Sequence, residues 1–147
     1  MIDIKLLFTD YLFIVHQLQH EKAKKILKDF KGKILDIGCG RRPYRKYLKE
    51  DVEYVGADIN TMLKPDIVMN ALDAPFKEGS FGGVIASEVL EHQKDSKIFL
   101  EHVNLILKKN GALYITAPMN WNLHYEPNDY YRFTKYGLAH LLEENGF

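Results

Sequence analysis

Residues Ile34 to Gly40 read ILDIGCG. The apolar pair Ile34-Leu35 leads to a carboxylate, Asp36, and then to two glycines one residue apart, Gly38 and Gly40. Pro43 follows and opens a segment, Tyr44 to Glu50, that reads as helix. An apolar run that stops at an acid and turns through glycine into a helix is the pattern of a buried parallel strand. Such a strand ends at the carboxyl edge of its sheet, where open α/β sheets hold ligands. Glycine suits that edge because a Cβ would hold the backbone away from a ligand or forbid the φ/ψ of the turn.

A second apolar run, Tyr54-Val55-Gly56-Ala57, ends at Asp58, eighteen residues beyond Gly40. An acid about twenty residues after the glycines, at the tip of the next strand, is placed to hold a pair of ribose hydroxyls. A dinucleotide-binding domain would carry a third glycine where Pro43 stands. The order acid-x-Gly-x-Gly, followed by the spaced Asp58, instead resembles motif I of class I S-adenosylmethionine-dependent methyltransferases. The third glycine usual in that family is Arg42 here.

At 147 residues the chain is the size of one domain, 1–147, with an N-terminal helical segment to residue 32 and a core from 33. Apolar content of 46% and charged content of 27% are those of a soluble globular protein. Cys39 is the single cysteine, so no intrachain disulfide can form, which fits a reducing compartment. The first residues lack the pattern of a signal peptide, since Asp10 interrupts the apolar run and no small-residue cleavage site follows. Nothing approaches the roughly twenty apolar residues of a membrane span, and a cytoplasmic location is expected. The net charge of zero is unevenly spread: residues 1–49 carry +7 and residues 50–147 carry −7. A basic half can serve nucleic acid, and it can equally be a solvated lysine face.

Helical spacing of Ala23, Ile26, Leu27 and Phe30 predicts a helix over about 9–30, with Gly32 ending it. His16 and His20, four apart, would make half a metal site, but no third ligand is suggested and no metal is expected. Strands are predicted at 33–37, about 53–58, Asp66 to Met69, about 83–87 and Ala112 to Ala117. The short gap from Ile59 to Lys64 predicts a crossover without a helix. Asp95 should cap a helix over about 95–108, its stripe formed by Phe99, Val103, Ile106 and Leu107, with Gly111 at its end. Thr134 should cap a last helix that turns Leu138, Leu141 and Leu142 inward.

The resemblance extends over 34–147. The turn Ala74-Pro75-Phe76 and the triplet Ser80-Phe81-Gly82 match a family segment whose third triplet residue is usually Asp. It implies a Rossmann-like doubly wound α/β fold, a mainly parallel five-stranded sheet of order 3-2-1-4-5 with helices on both faces. It also implies S-adenosylmethionine as cofactor and S-adenosylhomocysteine as product. Asp36 and the backbone of Ile37, Gly38, Cys39 and Gly40 would then face the methionine moiety, with Arg41 or Arg42 near its carboxylate. Asp58 and Ile59 would face the ribose, Asn70, Ala71 and Leu72 would border the adenine, and Ser87 would join them from the fourth strand. Base candidates at the carboxyl rim are Glu88, His92 and His124, histidine titrating in the useful range. The run 121–134 resembles a subgroup associated with glycan and cell-envelope biosynthesis, which implies a small-molecule or glycan acceptor and makes Trp121, Tyr130 and Arg132 substrate-binding candidates. Position 87–90 reads Ser-Glu-Val-Leu where amine-directed nucleic-acid enzymes carry Asn/Asp-Pro-Pro-aromatic, which argues against that class. An RNA or protein acceptor remains a lesser alternative, as do a non-catalytic S-adenosylmethionine-binding subunit and a nicotinamide-dependent oxidoreductase.

The family's sheet has seven strands, and this chain supplies five, ending at Phe147 where the sixth would begin. An uncovered fifth strand, apolar and without internal charge or proline, would invite pairing. It is expected to pair in trans as a homodimer, to be covered by residues 119–133, or to be completed in a longer chain.

Overall fold

The computed structural model describes residues 11–72 and 75–147, with side chains from residue 14 onward. The expected helix start at residue 9 and Ala74 of the expected turn lie outside these residues. Helix α1 (Tyr11–Leu27) precedes β1 (Lys33–Ile37), β2 (Glu53–Asp58), β3 (Ile67–Val68) and β4 (Phe81–Ser87). Helix α2 (Ser96–Ile106), β5 (Leu107–Thr116) and α3 (Lys135–Glu144) complete the order. The five strands form one sheet, β3-β2-β1-β4-β5, with every neighbouring pair parallel. This is the expected order and class.

Alternation along the central strands divides the core in two. In β1, Leu35 and Ile37 face one side with Val84 and Ala86 of β4, against Phe99, Leu100, Val103 and Ile106 of α2. Leu138, Leu141 and Leu142 of α3 join that layer as partly buried residues. Ile34 and Ile85 face the other side, against Ala23 and Leu27 of α1 and the ring of Phe30. Ile26 is the exception to the expected stripe: it is 46% exposed, because Ala23, Leu27 and Phe30 already fill the contact. Strands covered on both faces explain the apolar runs of β1 and β4. No helix among the described residues is long and apolar enough to cross a membrane.

Three predicted helices change length. Helix α1 ends at Leu27 and not near residue 30, where turn bonds from Asp29 N to Ile26 O and from Phe30 N to Leu27 O close it. The segment after Pro43 is a 3-10 turn, Arg45–Tyr47, and not a helix to Glu50. Tyr44 and Leu48 are both anchored in the core, and bonds from Tyr47 N to Tyr44 O and from Leu48 N to Arg45 O close the chain tightly between them. Helix α2 is capped as expected, Asp95 accepting from Ile98 N at 3.0 Å, but it stops at Ile106. Leu107 already pairs with Phe81 as the start of β5, and Ala112 pairs with Gly83, so residues 108–111 bulge between them. The crossover between β2 and β3 has no α-helix, as predicted, only the 3-10 turn Thr61–Leu63. Thr134 caps α3 by accepting from Gly137 N at 3.0 Å.

Among the described residues β5 has β4 as its single strand partner. Among the described residues, 119–133 make no backbone hydrogen bond to β5. They are bonded across the sheet's carboxyl rim, where Tyr130 N and Tyr131 N donate to Glu91 O at 2.9 and 3.3 Å.

Gly82, which stands where the family has Asp, lies against α1's exit: a Cβ there would run into the carbonyl oxygen of Lys31. Gly82→Ala should therefore destabilise by roughly 1–3 kcal/mol, the cost of overpacking against backbone that is slow to yield. Denaturant unfolding should show a lower midpoint with an unchanged m value.

Asp36 is buried, 2% exposed, on the α1 side of β1, and accepts from Tyr54 Oη at 2.6 Å. Burial pushes its carboxyl up to about 7 from 3.8, opposed by the Tyr54 bond and helped by the nearby Asp58. Between those two values the unfolded chain releases a proton that the folded chain keeps, so this group's contribution to stability falls as pH rises from about 4 to about 7 and is flat above. Asp36→Asn keeps an acceptor for Tyr54 and cannot ionise. The stability of the variant relative to the parent should climb across that window, as read by unfolding at a series of pH values.

Candidate functional site

Four strand tips and their loops enclose one cavity of about 520 Å³ at the carboxyl edge of the sheet. It draws on the β1 loop through Ile37, Gly38 and Gly40, and on the β2 tip through Asp58 and Ile59. The segment after β3 supplies Asn70, Ala71 and Leu72, and that after β4 supplies Glu88 and His92. Tyr130 closes it from the rim loop.

The β1 loop owes its path to its two glycines. Gly38 has φ +66°, and a Cβ on it would lie 2.5 Å from Val89 Cγ2, so its bareness lets the β1 and β4 tips close together. Gly40 has φ +52° and nothing within 4 Å of where a Cβ would stand, which leaves its backbone open toward the cavity. Asp58 ties this loop to the next, accepting from Gly40 N at 2.9 Å and from Asn60 N at 2.8 Å. A carboxylate has about four lone-pair sites, so capacity for further donors remains. Asn70 spends one of its acceptor sites on Leu72 N at 3.0 Å.

Several expected site residues lie elsewhere. Asp36 does not line the cavity; it is the buried partner of Tyr54. Cys39 is buried beneath the loop, and burial pushes its thiol up to about 11, which makes it a packing residue. Ser87 is engaged by Tyr44 Oη at 2.9 Å and Thr116 Oγ1 at 2.7 Å. Arg42 occupies the left-handed region at φ 58°, which glycine adopts more readily, and its guanidinium reaches back to Asp66 Oδ1 at 2.8 Å and Lys64 O at 3.1 Å. It fastens the β1 loop to the β3 side and is turned away from any ligand carboxylate. Arg41 does not line the cavity either.

In the rim loop, Arg132 is fully committed. It donates to Asp129 Oδ1 and Oδ2, both at 2.7 Å, and to the carbonyls of Tyr131, Asn122 and Trp121. The Asp129 side chain is 1% exposed, and the Arg132 bonds hold its carboxyl well below the usual carboxylate range. Arg132 is thus a staple of the loop and not a substrate ligand. Trp121 packs near His16, ring centroids 6.2 Å apart, outside the cavity. His16 and His20 do not share a site, since His20 turns to Tyr47 Oη at 3.1 Å.

Of the base candidates, Glu88 and His92 reach the cavity and His124 stands behind His92, ring centroids 4.7 Å apart. Glu88 has φ 54° at the β4 tip, a strained backbone for a residue with a Cβ. Its Oε1 accepts from Thr116 Oγ1 at 2.8 Å and from Gln19 Nε2 of α1 at 3.0 Å. Since a carboxylate only accepts, the hydroxyls of Tyr44, Ser87 and Thr116 must donate in one direction toward it. His92 Nδ1 faces Asn128 O at 2.6 Å; a carbonyl only accepts, so Nδ1 carries the proton and Nε2 the lone pair.

Sequence reasoning missed Asn60, Met69, Gln93, Tyr125 and Asn128, which also line the cavity. It also passed over Glu91, fully buried in the 3-10 turn Leu90–His92, with burial pushing its carboxyl up to about 8. The signal for Glu91 was its place three residues from Glu88 and beside His92.

A family model described as a methyltransferase domain matches residues 14–147. An uncharacterized protein of Methanocaldococcus jannaschii is 30% identical over 143 residues, covering 89% of this chain, and the chain spans 63% of that relative's length. The crystal structure of a SAM-dependent methyltransferase from Archaeoglobus fulgidus superposes with a TM-score of 0.73 at 24% identity, over 94% of this chain and 75% of that one. Phosphoethanolamine N-methyltransferase 2 of Haemonchus contortus, solved with S-adenosyl-L-methionine, gives 0.67 at 19% identity, over 86% of this chain and 36% of its own. At these identities the two structures establish the shared fold, and the match over 14–147 establishes the family: the chain belongs to the methyltransferase-domain proteins.

Proposed function

We propose that the chain binds S-adenosylmethionine in the carboxyl-edge cavity and transfers its methyl group to a small-molecule or glycan intermediate. One observation carries this reading. The open backbone of Gly40, the Asp58 carboxylate and the 70–72 segment line a single cavity of about 520 Å³, within the range of small-molecule sites. When bound, the cofactor supplies a sulfonium methyl group that needs only an aligned nucleophile. Gly38 and Gly40 would hold its methionine end by backbone contacts. Asp58 would accept from its ribose hydroxyls with the lone pairs left free by Gly40 N and Asn60 N. Asn70 and Leu72 would flank the adenine, with Ile59, 69% exposed, as an apolar cover.

On the acceptor side Glu88 and His92 are the groups able to take a proton. The donors from Thr116 and Gln19 hold the Glu88 carboxylate in place. Asn128 O holds the His92 ring with its Nε2 lone pair free. His124 acts behind them as a neighbour of His92.

Calorimetry with S-adenosylhomocysteine tests the cofactor site. A carboxylate–hydroxyl bond is worth about 1.5–3 kcal/mol, so Asp58→Ala should weaken binding on the order of ten- to a hundredfold with the fold intact. Equal affinity in parent and variant would remove Asp58 from the site. Stabilisation of the parent by NAD but not by S-adenosylhomocysteine in a thermal shift would overturn the reading as a whole.

The proton-accepting role is tested by turnover, followed as S-adenosylhomocysteine formation on a cell extract. His92→Ala or Glu88→Gln should lower the rate by roughly 10²–10⁴-fold while cofactor affinity is kept. Rates close to the parent in both variants would mean that the acceptor is already nucleophilic and is only positioned.

A further inference from the structure

One cluster of side chains is left unused by cofactor binding. Glu91, His92 and His124 each offer a ligand atom, and these atoms all lie within 4.8 Å of one another. Glu91 is 0% exposed, yet neither of its carboxylate oxygens has a hydrogen-bond partner among the described residues. A buried carboxylate without a partner is costly, and such groups are normally paired or coordinate a metal. Its Oε1 faces His92 Nε2 at 3.8 Å, too long for a hydrogen bond.

The two imidazoles are oriented from behind. His92 Nδ1 is fixed by Asn128 O at 2.6 Å, which leaves Nε2 as the lone-pair nitrogen on the Glu91 side. His124 Nδ1 lies 3.2 Å from Asn122 O and 3.4 Å from Asp129 Oδ2, and Asp129 also accepts from His124 N at 3.0 Å. A carbonyl or carboxylate behind a ring nitrogen is the usual outer support of a metal-ligating histidine, fixing its tautomer and raising its basicity. The Asp129 carboxylate, behind His124, adds negative charge at the edge of the cluster.

We propose that Glu91, His92 and His124 bind one divalent transition-metal ion, of the zinc or manganese kind, at the acceptor end of the cavity. Two imidazoles and one carboxylate suit ions of borderline softness and exclude calcium and magnesium as the preferred occupants. Tetrahedral ligands at 2.0–2.2 Å from an ion lie about 3.4 Å apart, so separations of up to 4.8 Å must shorten by up to about 1.4 Å on binding. Three protein ligands leave open positions, and His92 itself lines the cavity, so the ion would face an acceptor bearing oxygen ligands such as a hydroxyl or carboxylate. That last use rests on the methyl-transfer reading; the metal site does not. In that use the proton goes to Glu88, because the His92 Nε2 lone pair is spent on the ion.

The test is titration of the chelator-stripped full chain with Co²⁺ and Zn²⁺, by visible absorption and calorimetry. One ion per chain is expected, with Zn²⁺ displacing Co²⁺. Glu91→Gln, His92→Ala and His124→Ala should each weaken binding at least about a hundredfold, beyond the ten- to hundredfold typical of an outer-shell partner. His140→Ala, on the exposed face of α3, should bind as the parent does. Absence of stoichiometric binding, or equal binding in the three ligand variants, overturns the proposal. A check that needs no variant is proton NMR of the Co²⁺ form, where shifted signals from two histidine rings are expected and none would refute the site. S-adenosylhomocysteine affinity of the metal-free chain is measured in parallel, so loss of one reading is separable from loss of the other.

Discussion

The site depends on a missing methyl group. With a Cβ on Gly38, Val89 could not lie where it does, and the tips of β1 and β4 would be forced apart. On the other side of β1, in-register pairing of Ile37 with Ala57 brings Gly40 within reach of Asp58, and one carboxylate then fixes two loops by accepting from Gly40 N and Asn60 N. The cavity is what remains between these closed tips and the rim loop. Its floor is therefore set by backbone, held at a left-handed φ at both Gly38 and Gly40. The two buried layers beneath supply the rigidity that lets such a turn persist.

What was legible in the chain was whatever depends on near neighbours or on alternation. β1 and β2 fall at their expected residues, and the caps at Asp95 and Thr134 are made by the side chains whose type announced them. The sheet order followed from family resemblance. Illegible were features decided by distant partners. Arg42 read as a cation for a ligand, but Asp66, twenty-four residues on, claims it. Arg132 read as a substrate ligand, and its own loop, through Asp129, claims it. Spacing places Glu91 near Glu88 and His92, but it does not tell a solvated glutamate from one sealed in a turn, so its burial was not legible. The helix after Pro43 was overestimated because its apolar residues were counted without knowing that Tyr44 and Leu48 both had to reach the core.

The β4 end of the cavity is organised by polar groups from four separate segments. Tyr44 from the first crossover, Ser87 from β4 and Thr116 from β5 pass their hydroxyl protons in sequence toward Glu88, and Gln19 of α1 meets the same oxygen. Glu88 is thus held in a strained backbone conformation by the sheet on one side and by the first helix on the other. The basic N-terminal segment, which composition alone would leave as a solvated face, thereby holds through Gln19 a carboxylate that lines the cavity.

The rim loop sets how molecules get in and out. It is held by a bidentate ion pair whose carboxylate is almost sealed from solvent, by Tyr131 Oη on Lys94 O, and by two amides on the Glu91 carbonyl. Swinging it outward would break the Tyr131 bond, both amide bonds to Glu91 O and the bond from His92 Nδ1 to Asn128 O together, while the Asp129–Arg132 pair keeps the loop itself from yielding piecemeal. The loop therefore behaves as masonry and not as a door. With the loop fixed, discrimination between entering molecules falls to the standing shape of the cavity, which Ile59 and Tyr125 line with exposed side chains, ahead of any motion that follows binding.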